Sequence, residues 1–213
     1  MLDKENSRKL NDVVDLFLKT SKMFHFKMKL KDEESHADAL DEFIKDLIKR
    51  SFEYMDEEKG PAVPTAVFFK KLGDTWKGTV VTGLLMDTVF EKNVMANFIK
   101  NMARKMEFDA VALLMDTHRW TIDTEKSNAF DGDFEKAWAE NDEFEWRKQF
   151  ATVVDAITVI VETRKTATMY SKKYKVDEGN VVCESWPIEK SVMDVSFNRG
   201  RFSGFLTEKP VSN

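Results

Sequence analysis

Residues 110–115 read AVALLM, preceded by Asp109 and followed by Asp116-Thr117-His118-Arg119-Trp120. A six-residue apolar run between polar flanks is too short for a buried helix and has the form of a strand covered on both faces. A matching run, AITVIV at 156–161, lies between Asp155 and Glu162-Thr163-Arg164 and is rich in β-branched residues. The two runs predict the central strands of one sheet, and the rest of the chain is arranged around them.

Ahead of the first run, Leu10, Val13, Val14 and Phe17 fall at helical spacing. Ala37, Leu40, Phe43, Ile44, Leu47 and Ile48 form a second amphipathic stripe, with Asp32 available as its cap. Between them Phe24, Phe26, Met28 and Leu30 alternate with His25, Lys27, Lys29 and Lys31. That is a strand pattern, although Met23, Phe26 and Leu30 also fit a helix, and both readings stay open. Gly60-Pro61 and Pro64 close this helical part and introduce AVFFKKL, which Gly73-Asp74 turns into WKGTVVTGLL, a β-hairpin. Val94, Phe98, Ile99, Met102 and Met106 mark a further helix. After the second apolar run, Asp177-Glu178-Gly179-Asn180 turns one long strand into another, and SFNRGRFSGFL supplies a final one. The expectation is an α+β fold in a single domain over 1–213: a helical part at 1–60, then a sheet-containing part at 61–213 with an insertion at 123–146. The sheet is antiparallel or mixed, with the N-terminal and central helices on one face.

The order of these parts resembles a loose group of uncharacterised prokaryotic and phage α+β proteins. In that group a hairpin precedes a helix rich in Lys and Arg, followed by an apolar strand ending in Trp, an irregular segment and two further strands. Trp76 to Gly83, Phe98 to Lys105, Val111 to Trp120 and Asp155 to Arg164 carry the resemblance, about half of the chain. Two positions before the strand-ending Trp the group has an acidic residue, where this chain has His118. The resemblance implies a fold and no functional residue.

Charge is distributed unevenly over the 213 residues. Asp123 to Trp146 holds nine acids against Lys126 and Lys136, a charge of -7, so the rest of the chain carries +2 of the total of -5. Within this insertion Phe130, Phe134 and Trp138 recur at i, i+4 and i+8, which predicts a helix whose aromatic side docks on the body and whose acids face water. Asp131 and Asp133 stand at its start, where the helix dipole favours negative charge. Asp131, Asp133, Glu135, Glu140, Asp142 and Glu143 are accordingly the candidate surface for a basic protein partner, and a non-enzymatic interaction or accessory module is the leading functional reading.

Most catalytic chemistry lacks its residues. Gly73, Gly78 and Gly83 recur within a hairpin and not before a helix, so neither a dinucleotide fingerprint nor a phosphate loop is present. With Gly132 in the sixth place of a calcium loop, the first, third and twelfth places would be Ser127, Ala129 and Trp138, none of them a carboxylate. Three His and one Cys draw no zinc motif, and no cofactor is expected. The alternative function is a metal-dependent hydrolase or nuclease using Asp116 and His118 at the end of one strand and Glu162 near the end of another. A weaker alternative is nucleic-acid binding through RKTATMYSKKYK, which lysines guarding a sheet edge explain more simply. The lone Cys183, the absence of an apolar run near the roughly 20 residues of a membrane span, and the acidic opening residues Asp3 and Glu5 lead to the expectation of a cytoplasmic protein with no membrane partner.

Overall fold

The computed structural model describes residues 4–31, 34–58, 60–141, 143–177, 180–182, 187–193 and 204–206. Its elements are, in order, α1 (Lys4–Thr20), β1 (Lys22–Lys29), α2 (His36–Glu58), β2 (Thr65–Leu72), β3 (Thr75–Thr82), α3 (Val89–Lys105), β4 (Ala110–Ile122), α4 (Thr124–Asn128), α5 (Phe134–Glu140), α6 (Phe144–Phe150), β5 (Ala151–Thr163), β6 (Ala167–Asp177), β7 (Asn180–Val182) and β8 (Glu189–Met193). This is an α+β fold in which every strand pairing is antiparallel. The strand order is β1-β3-β2-β4-β5-β6-β7, with β8 also on β6, so the two apolar runs lie at the centre as expected. The ambiguous segment at 24–30 is strand β1, at the sheet edge.

The helices lie on both faces of the sheet, not on one. Ala66 and Phe68 alternate with Val67 and Phe69 along β2, and both sets are buried. Successive side chains of a strand point to opposite faces, so each face needs its own cover. On the first face Val67, Phe69, Ala112, Leu114, Ile157 and Val159 meet Leu40, Ile44, Ile48 and Phe52 of α2. On the second, Ala66, Phe68, Val111 and Leu113 meet Met95 and Ile99 of α3, Phe17 of α1, and Phe205. The expected helical stripes are therefore real, but they serve two separate cores.

Local chemistry sets the helix ends. Thr88 caps α3 in a box with Glu91, each side chain accepting the other's backbone N–H. At the start of α2, Ser35 Oγ accepts from Asp38 N–H, whereas Asp32 lies outside the described residues. Cys183, Gly179 and most of the expected final strand fall outside them too, and β8 was not legible from the residue pattern.

Two contacts pin the first core at its margins. Phe26 of β1 lies opposite Gly78 of β3, and its ring occupies the space a side chain there would need: a Cβ on Gly78 would stand 2.0 Å from Phe26 Cζ. That ring stacks on Phe43 of α2 at 5.0 Å, so the missing side chain lets the edge strand reach the helix. Two residues before Phe43 on α2, Asp41 accepts from Tyr170 Oη at 2.8 Å, Lys190 Nζ at 2.6 Å and Lys45 Nζ at 2.6 Å. Burial alone would raise the Asp41 carboxyl pKa, but the bonds from Lys190, Lys45 and Tyr170 bring it down to about 2.

Two outcomes follow. Gly78→Val expels the Phe26 ring and should cost about 1–3 kcal/mol in urea unfolding, the range for overpacking a filled site. Asp41 has a depressed folded pKa, so its contribution is present above its unfolded value near ~4 and is lost as pH falls toward about 2. Asp41→Asn should therefore lower the urea midpoint most at neutral pH, and the gap to wild type should close as pH drops below ~4.

Candidate functional site

Beyond Leu114, β4 leaves the core and its side chains reach water while the ladder with β5 continues to Ile122. Strand alternation puts Asp116, His118 and Trp120 on the face of α2, and Thr117 and Arg119 on the other. The register brings in two residues that the sequence reading did not select. Asp155 stands opposite His118, and Tyr174 of β6 stands opposite Asp155. His118 Nδ1 lies 2.7 Å from Asp155 Oδ1, and Tyr174 Oη donates to Asp116, 2.9 Å from each carboxylate oxygen. Desolvation raises the Asp116 pKa against the opposing pull of the Tyr174 hydroxyl, and the nearby Asp155 adds to the rise. Burial and the Asp116 carboxylate likewise push the Tyr174 phenol upward, so it stays a donor.

Glu162 is not part of this group. It lies five positions from Ile157, the partner of Asp116, and an odd offset places it on the opposite face. There its side chain is fully buried, and Oε1 accepts from Leu206 N–H at 2.8 Å, next to buried Phe205. The metal set Asp116, His118 and Glu162 is thus divided by the sheet itself. Among the described residues no three His, Cys, Asp or Glu side chains converge as metal ligands. Glu162 instead ties segment 204–206 to the second core.

The insertion forms a flap at the end of β4 and β5. Asp123 N–H bonds to Phe150 O at 2.8 Å and closes its base, while the Asp123 side chain caps α4. Asp133 caps α5 by accepting from Lys136 N–H at 3.0 Å. Phe130 precedes α5 and is not part of the helix, but it still meets Phe134 at 5.6 Å. The rings do not dock on either main core. Trp138 packs on Trp146 at 6.1 Å and on Trp120 at 6.0 Å, Trp146 packs on Phe150 at 5.0 Å, and Trp120 meets Phe144 at 5.1 Å. Arg147 crosses the Trp138 ring at 5.0 Å and donates to Trp138 O and Asn141 O. This third cluster contains no fully buried residue, and Phe144 is 37% exposed.

Asp131, Asp133, Glu135, Glu140 and Glu143 are exposed, and among the described residues none of them forms an ion pair; Asp142 lies outside those residues. The basic C-terminal strands are more heavily committed. Lys173 pairs with Glu189 at 3.0 Å, Arg119 reaches the same carboxylate, and Lys172 lies over Phe52. No helix among the described residues is long and apolar enough to cross a membrane.

Comparison with protein-family models, curated proteins and solved structures finds no match.

Asp116 has a raised folded pKa, so folding favours its protonated form and stability is lost as pH rises through that value. Asp116→Asn keeps an acceptor for Tyr174 and removes the charge. It should melt at or above wild type at pH 7 in differential scanning calorimetry, and the advantage should vanish below about pH 4, where the unfolded carboxyl is itself protonated.

Proposed function

We propose that this protein is a non-enzymatic interaction module that receives a basic protein partner on the flap at 123–146. One observation carries the reading: an aromatic cluster outside both cores, with no ring fully buried, is interleaved along the chain with five exposed carboxylates that have no ion-pair partner among the described residues. Aromatic anchors within a polar rim are the usual anatomy of a recognition surface. Arginine suits such a patch, since guanidinium stacks on aromatic rings and pairs with carboxylates, and Arg147 already makes that stack on Trp138 within the chain.

The test uses Asp131→Lys, Glu135→Lys, Glu140→Lys and Glu143→Lys together, leaving the capping residues Asp123 and Asp133 in place. A peptide with four arginines along one helical face should bind wild type and weaken steeply as salt rises from roughly 0.05 to 0.3 M. The quadruple variant should melt close to wild type, because exposed charges contribute little to stability, and should bind at least about tenfold more weakly. Equal binding by the two proteins would overturn the proposal.

A second reading, hydrolysis with His118 as base and Asp155 as its orienting carboxylate, is favoured by their 2.7 Å contact. Hydrolysis of an activated phosphodiester that disappears in His118→Asn would support it over the first.

A further inference from the structure

At the end of the sheet remote from the flap, three lysines stand in one row across three strands. Lys27 of β1 is the register partner of Lys77 of β3, and Lys77 is the partner of Lys70 of β2. Direct partners in an antiparallel ladder project to the same side, so the three ammonium groups share the second face at strand separations of about 4.8 Å. Like charges placed opposite each other destabilise a sheet. Lysine on an exposed edge strand discourages unwanted pairing, which would account for Lys27. It does not account for Lys77 and Lys70, because β3 and β2 lie inside the sheet. Lys70 is tied to the backbone carbonyl of Glu107 at 2.5 Å, whereas among the described residues Lys27 and Lys77 meet no carboxylate.

The row borders a cavity of about 670 Å³. Its other walls are His25, held to Thr79 Oγ1 at 3.0 Å, and the α3–β4 connection, with buried Phe108 and with Met106, which is 61% exposed. The connection is held in shape: Phe108 N–H bonds to Ala103 O and Glu107 N–H to Arg104 O, closing the helix with Glu107 at a φ of 50°. This Schellman arrangement usually employs glycine. Here glutamate occupies the position, and the connection brings Met106 and Phe108 to the same cavity as the three lysines.

We infer that this cavity binds an amphipathic anion, with a carboxylate or phosphate head between Lys27 and Lys77 and an apolar body against Phe108, Met106 and the lysine methylenes. The volume suits a small-molecule site, and a few polar groups on a largely apolar wall are what such a site requires. The head group offsets the repulsion that the free protein carries, so the same charges that weaken the empty sheet favour the complex. The site lies outside the flap and does not depend on its reading.

The experiment measures binding of octanoate, octyl phosphate, octylamine and inorganic phosphate, below their aggregation concentrations, by calorimetry and by amide chemical shifts. Wild type should bind one or both octyl anions, with shifts centred on residues 25–27, 77–79 and 106–108, and the tighter of the two names the head group. Lys27→Gln with Lys77→Gln should weaken that binding at least tenfold while raising the melting temperature of the ligand-free protein, a readout that separates loss of a ligand contact from loss of fold. Octylamine binding as tightly as the anions, inorganic phosphate binding as tightly as octyl phosphate, or unchanged affinity in the double variant would each overturn the inference.

Discussion

Five consecutive residues on each of two neighbouring strands, Thr65–Phe69 and Ala110–Leu114, are buried from both sides. Such a strand cannot present one face to water, so the chain must supply a helical layer above and below it. α2 provides one layer, and α1 with α3 provides the other. Each places its apolar stripe where the alternating residues of β2 and β4 require it. The same constraint sets where order of another kind begins. β4 and β5 are 13 residues each, but the helices cover only part of that length, and the uncovered remainder carries Asp116, His118 and the flap.

The sheet centre and the helical stripes were legible because burial writes a period into the sequence: continuous apolar runs for β4 and β5, and a 3.6-residue stripe for α2. Register is not written that way. His118 and Asp155 are 37 residues apart, and no local pattern announces that they face each other. Glu162 has the right chemistry for a metal ligand, yet its pairing with Val111 sends it to the other side of the sheet. The lysine row shows the same limit. Lys27 stood out in its alternating segment, but its alignment with Lys77 and Lys70 belongs to the pairing of three strands.

In the flap, the spacing of Phe130, Phe134 and Trp138 predicted one helix docked on the body, whereas Phe130 precedes α5 and the rings join neither main core. They find partners in Trp146 within the insertion and in Phe150 and Trp120 at its two flanks, a cluster separate from both cores. Capping also redistributes the acids. Asp123 and Asp133 accept backbone N–H groups at the starts of α4 and α5, so two of the acids set the shape of the flap while they keep their charge.

The clamp on α2 bears on how the chain emerges during synthesis. Asp41 closes with Tyr170 across 129 residues of sequence and with Lys190 across 149. While a ribosome delivers the chain from its N-terminus, α2 and the β2–β3 hairpin can form early, but the polar ties that hold the helix to β6 and β8 must wait until those strands, 129 and 149 residues further on, have been made. Contacts of such separation carry a large loop-closure cost and slow folding. Throughout that interval the apolar runs of β4 and β5 are made before their last neighbour arrives, which leaves the nascent protein dependent on protection from self-pairing at its most aggregation-prone stage.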